Sequence, residues 1–156
     1  MNNDATIHDD FKAWLTSRQY IYSLLQSFYM EGPDEELVRF LQRPDVMSTL
    51  RDSIDDPLWQ LGCDLIIQSP PEPDWRQEYE RMLYGPEHLT APPWESVYLT
   101  REKLLYGPPT ETVRRTYRLY GFHHGCNEAD DHVGIELSFM RSNLRRRHAG
   151  TTAGIS

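Results

Sequence analysis

Cysteine is scarce in this chain: Cys63 and Cys126 are the only two among 156 residues. Two are too few for a disulfide framework or a four-cysteine zinc site, so both thiols are expected in the reduced state. Long apolar runs are absent as well. None approaches the roughly 20 residues that span a bilayer, so stable membrane insertion is not expected. The opening MNNDATIHDDFKAW has no basic stretch followed by an apolar one, and is not read as a secretory signal. There is no phosphate loop, no G-x-G-x-x-G, no G-x-S-x-G elbow and no H-E-x-x-H. Nucleotide enzymes, serine hydrolases and zinc proteases of those kinds therefore find no support. Period-2 strand patterns and internal repeats are also missing. The expectation is a cytoplasmic, single-domain protein.

What is present is a globular balance, with 38% hydrophobic and 26% charged residues, which is too apolar for a disordered chain. The net charge is −8, and it is unevenly spread. Residues 1–100 carry 7 Lys/Arg against 18 Asp/Glu, whereas residues 101–156 carry 9 against 6. An acidic body repels phosphates, which argues against nucleic acid and anionic membranes. It suits a cationic partner such as a basic peptide; the plain alternative is solubility alone.

The pattern along the chain predicts an all-α fold. Residues 9–30 form an amphipathic helix through Phe11, Trp14, Leu15, Ile21, Leu25 and Phe28, and Gly32-Pro33 ends it. Asp34 caps a second helix with Leu37, Val38 and Leu41 inward, and Pro44 opens a third. Asp56-Pro57 opens a fourth, with apolar positions Leu58, Trp59, Leu61, Leu65 and Ile66. The prolines of 69–73 make a stiff connector, and Asp74 caps a helix that turns Trp75, Tyr79, Met82 and Leu83 inward. Residues 85–109 hold five prolines and read as a long ordered loop, with one short helix at 100–105. A helix follows over 110–120. The last helix starts near Asn127 and presents Ile135, Phe139 and Met140 on one face. Residues 145–156, RRRHAGTTAGIS, read as a disordered basic tail after a domain of residues 1–144.

Three constellations carry chemistry. In PPWESVY (92–98) two prolines hold the backbone extended, so Trp94 and Tyr98 lose little entropy on binding an apolar peptide. The plain alternative is a loop pinned to the core. In NEADDH (127–132), Asn127 reads as a helix N-cap, with Glu128, Ala129 and Asp130 in the first turn. Asp131 and His132 add groups that could meet a guanidinium. Third, His123, His124, Cys126, Asp131, His132 and Glu136 form a loose metal-ligand set, but without a zinc-enzyme spacing. Nucleophilic catalysis finds less support still, since Cys126 beside His124 has no third orienting residue evident.

Four ordered blocks over about 60 residues carry a resemblance. They are YERMLYGP (79–86), PPWESVY with EKLLYG (102–107), TETVRRTY (110–117) and NEADDHVGIELSFM (127–140). In this order they resemble the TorD/DmsD/NarJ group of redox-enzyme maturation chaperones, and most the TorD/DmsD branch. Alanine stands at 129 where the family usually has proline, a change that a first helical turn tolerates. Family members also continue beyond the Phe139-Met140 helix. The resemblance therefore implies a TorD-like helical bundle short of its usual C-terminal helices, or completed by exchange of elements in a homodimer.

The resemblance implies a function as well. Such proteins bind the twin-arginine signal peptide of a molybdenum-containing oxidoreductase precursor and delay export until the cofactor is inserted. The partners implied are that peptide and the folded body of the catalytic subunit, with no enzyme activity and no cofactor of the chaperone's own. The binding positions carried over are Trp94, Ser96, Tyr98, Asn127, Glu128, Asp131 and His132. Two other readings remain open: a small metal-dependent hydrolase using His123, His124, His132 and Glu136, and a helical adaptor that has lost its client.

Overall fold

Helices dominate because capping residues and prolines punctuate the chain at short intervals. The computed structural model describes residues 3–69, 75–85 and 90–152, with side chains over 9–69, 75–85 and 90–146. Among the described residues there are eight helices and no strand: α1 (Asn3–Glu31), α2 (Glu35–Leu41), α3 (Pro44–Ser53), α4 (Pro57–Gln68), α5 (Trp75–Leu83), α6 (Glu95–Leu99), α7 (Pro108–Leu119) and α8 (Val133–Thr152). The all-α expectation holds. The chain divides into two compact units, one of residues 31–91 and one of residues 1–30 with 92–156.

The unit of residues 31–91 follows the sequence closely. Gly32 ends α1 with φ +78, a conformation that glycine adopts without strain. The Asp34 carboxylate accepts from the Leu37 N–H and that of Asp56 from the Leu58 and Trp59 N–H groups, so both cap helices as expected. Val38, Leu41, Met47, Cys63, Tyr79 and Leu83 are buried. Side chains bind the helices to one another. The Trp59 indole donates to the Leu50 carbonyl at 2.6 Å, and Gln42 Nε2 donates to the carbonyls of Ile66 and Ser69. Of the apolar positions on α4, Leu58, Leu61 and Leu65 are exposed, and the buried side of the helix is that of Cys63. The connector prolines and the Asp74 cap lie outside the described residues.

The other unit joins α1 to α6, α7 and α8. Leu15 and Ile21 of α1 are buried, and so is Ile135 of α8. Arg141 of α8 donates to the Gln26 side chain of α1 at 3.0 Å. Gly134 lets α8 come close to Met30, where an added Cβ would lie 2.7 Å from the Met30 Cγ and Sδ atoms. Phe139 packs in an aromatic cluster with Tyr117, Tyr120 and Phe122, at ring distances of 4.9, 5.7 and 5.3 Å. The α8 face is thus covered at Ile135 and Phe139, whereas Met140 is exposed.

Three boundaries differ from expectation. The short helix in the proline-rich loop is α6 at 95–99, and residues 100–105 are turn and irregular backbone. Helix α8 begins at Val133, six residues after Asn127, so Asn127 caps nothing there. It also runs on through Arg145 to Thr152, where a tail was expected; residues 153–156 lie outside the described residues.

Candidate functional site

Pro92 and Pro93 hold the chain extended into Trp94, whose φ of −107 and ψ of 129 place it in the β region. An extended segment needs partners for its backbone groups, and residues 131–133 supply them. Val133 N donates to the Pro93 carbonyl at 2.8 Å and Glu95 N to the Asp131 carbonyl at 3.0 Å. Together they make an isolated antiparallel bridge between Trp94 and His132. Two segments 38 positions apart in sequence are thereby locked side by side.

Side chains complete the joint. Asp131 is fully buried, and its Oδ2 accepts from the Ser96 N–H at 2.7 Å, so this carboxyl group caps α6 from across the joint. The Trp94 indole donates to Glu128 Oε1 at 2.9 Å, and the same oxygen accepts from Ala129 N at 3.0 Å. A proline at 129 would have no N–H for that second bond. The Trp94 and His132 rings meet edge-on at 5.8 Å.

His132 is the N-cap of α8. Its carbonyl accepts from Ile135 N and Glu136 N, and its Nδ1 accepts from Gly134 N at 3.0 Å. A backbone N–H can only donate, so Nδ1 carries no proton in this state. Burial lowers the imidazole pKa below its ordinary value, against the opposing pull of Glu128 and Asp131. The imidazole is therefore held in its neutral form.

One turn into α8, Glu136 has an unusual environment. Burial first, then the charges of Glu95 and Asp131, push its carboxyl up to about 7. Among the described residues, no hydrogen-bond partner reaches Glu136 Oε1, Asp131 Oδ1 or Ser96 Oγ. Tyr117 of α7 donates its hydroxyl to the Asp130 carbonyl at 3.0 Å, and burial, followed by four nearby carboxylates, raises its pKa.

Of the seven expected site residues, five therefore meet in one joint: Trp94, Ser96, Glu128, Asp131 and His132. Trp94, Ser96, Asp131 and His132 are buried there, where they position the backbone. Tyr98, 64% exposed on α6, and Asn127, on the loop, lie at the surface. Exposed Glu95 and Leu99 were missed by the sequence reading. Together with Thr100, Pro108, Pro109 and Thr112 they line an open cleft of about 440 Å³ between α6 and α7. The metal-ligand set does not assemble: His123 is exposed, His132 is committed to its cap, and among the described residues no three His, Cys, Asp or Glu side chains are placed to hold a metal ion.

Residues 50–154 match the model of a family described as the nitrate reductase delta subunit. The chain belongs to this family, which includes the TorD and DmsD maturation chaperones. Among its relatives, the Tat proofreading chaperone DmsD of Salmonella typhi is 42% identical over 63 residues, which are 39% of this chain and 31% of that protein. The chaperone TorD of Aliivibrio salmonicida is 23% identical over 141 residues, covering 89% of this chain and 65% of that protein. The chain thus spans less than two thirds of the length of these relatives. A solved structure described as a redox enzyme maturation protein, from Archaeoglobus fulgidus, aligns with a TM-score of 0.51 at 20% identity, over 82% of this chain and 72% of that one. That likeness supports the TorD-like fold.

Proposed function

We propose that this family member is a cytoplasmic chaperone without turnover, which binds the twin-arginine signal peptide of a molybdenum-containing oxidoreductase precursor. By holding the peptide it delays export until the cofactor is in place. The observation that carries the reading is the joint: it presents the Pro92–Tyr98 loop and the 127–132 segment as one preorganised surface. Trp94, Ser96, Asp131 and His132 act as positioning residues beneath it. Tyr98 and Leu99, beside the cleft, offer apolar contact to the stretch that follows the two arginines. Glu95 and Glu128 offer carboxylates to the arginines themselves. The folded body of the catalytic subunit is the second partner of the same proposal.

Titrating the purified protein with a labelled peptide carrying Arg-Arg and an apolar stretch tests it. Saturable binding is expected, weakened about tenfold by Tyr98→Ala, equivalent to about 1.4 kcal/mol. Equal affinity for a Lys-Lys peptide, or for one whose stretch is made polar, overturns the reading. The Tyr98→Ala variant leaves the buried joint intact, so a loss there is not a loss of fold.

A further inference from the structure

Beyond the joint, the loop from Phe122 to Asp130 assembles a second group of reactive side chains. Gly125 sits between His124 and Cys126 with φ +71. A Cβ at Gly125 would meet nothing within 4 Å, so its backbone conformation, and not space, favours glycine there. The turn brings His124 Nδ1 to 3.0 Å from the Cys126 sulfur. His124 Nε2 lies 3.4 Å from Asp130 Oδ1. The other oxygen of that carboxylate, Oδ2, accepts from Arg114 Nε of α7 at 2.9 Å, which fixes the carboxylate plane. Arg114 in turn bonds Glu111, and the His124 ring lies edge-on to Tyr117 at 6.5 Å. Cys126 is exposed, while His124 and Asp130 are largely covered.

Nucleophile, base and orienting acid thus stand in line, with the base held between a thiol and a carboxylate. The orienting residue that the sequence did not reveal is Asp130. We propose that Cys126, His124 and Asp130 form a reactive-thiol site, at which the Cys126 sulfur takes up small disulfides by thiol–disulfide exchange. The thiol proton passes to His124 Nδ1 while Nε2–H faces Asp130. The sulfur attacks one sulfur of the small disulfide, whose S–S bond breaks as the new mixed disulfide forms. The leaving thiolate takes the proton from His124 and departs as a thiol. The disulfide is the oxidant, and no other co-reactant is needed. This site is independent of peptide capture, and its failure leaves that reading untouched.

The intact chain carries its own control, because Cys63 is buried and burial pushes its thiol up, away from reactivity. Alkylation by iodoacetamide at pH 7, followed by mass spectrometry of each cysteine peptide, reads the site. Cys126 should react at least tenfold faster than Cys63, and His124→Gln should slow Cys126 about tenfold. Incubation with oxidised glutathione should add one mixed disulfide, at Cys126, removable by dithiothreitol. Asp130→Asn should slow both reactions less than His124→Gln does. A Cys126 rate unchanged in His124→Gln, or no glutathione adduct on the parent chain, overturns the proposal. Cys63 reactivity rising to match Cys126 in a variant would signal unfolding, and the less disruptive His124→Asn then decides in its place.

Discussion

Replacing Glu136 by glutamine should stabilise the protein at high pH and hardly affect it at low pH. In the fold its carboxyl titrates at about 7, against an ordinary 4.5, because burial and the charges of Glu95 and Asp131 oppose ionisation. Between those two values the folded chain holds a proton that the unfolded chain has released. Stability attributable to this group is therefore full below about pH 4.5 and declines as pH rises through 7. At about 1.4 kcal/mol per pH unit across that span, discounted for partial access to water, the ionised carboxylate costs the fold about 2–3 kcal/mol. Glutamine keeps the shape and cannot ionise. For a chain of this length, that cost corresponds to roughly 5–10 °C in Tm.

His132 acts in the opposite sense. Its folded value is lowered, so its contribution is present above about 6.5 and is lost as pH falls. The parent profile thus mixes both groups, and the difference between parent and Glu136→Gln isolates one. Thermal unfolding of the two proteins at pH 4.5, 6 and 8 measures it. The variant should match the parent at pH 4.5 and exceed it progressively towards pH 8. A difference that does not change with pH, or a less stable variant at pH 8, would refute the account of this site.

Asp131→Ala should destabilise the protein by about 1–3 kcal/mol, by stranding the buried Ser96 N–H, and should lower the midpoint of Glu136 seen by carboxyl NMR. Gly134→Ala places a Cβ against Met30 and should cost about 1–3 kcal/mol in urea unfolding, less in a Met30→Ala background, where the collision is absent. Gly32→Ala should cost about 1 kcal/mol or more, since its φ of +78 strains alanine and the Tyr79 ring stands 3.0 Å from the new Cβ; a Tm equal to the parent's would contradict this.

Helices whose ends are set by neighbours in sequence were legible. Asp34, Pro44 and Asp56 act within three residues of themselves, and α2, α3 and α4 start where those residues say. The start of α8 was not legible, because Asn127 and the acids after it make a good cap on paper. The backbone of 131–133 is instead claimed by residues 93–95, and the cap falls to His132. The same long-range claim sets α6 at 95–99, since Asp131 caps it from 35 residues away. Leu58, Leu61 and Leu65 mislead for a related reason: periodicity marks an apolar face but not whether anything covers it. The joint residues were found through their order in the chain, while their burial beneath the surface came only with the fold. Asp130 as partner of His124 depended on Arg114, which approaches from α7.

One unit is interrupted in sequence by the other: residues 1–30 belong with 92–156, and 31–91 lie between them. On the ribosome this imposes an order of events. Helix α1 is made before residues 92–156, with which it forms one unit. At roughly 5–20 residues per second, the intervening residues 31–91 take about 3–12 seconds to make. Until residues 92–156 have been made, helix α1 lacks the rest of its unit, whereas residues 31–91 have all of theirs.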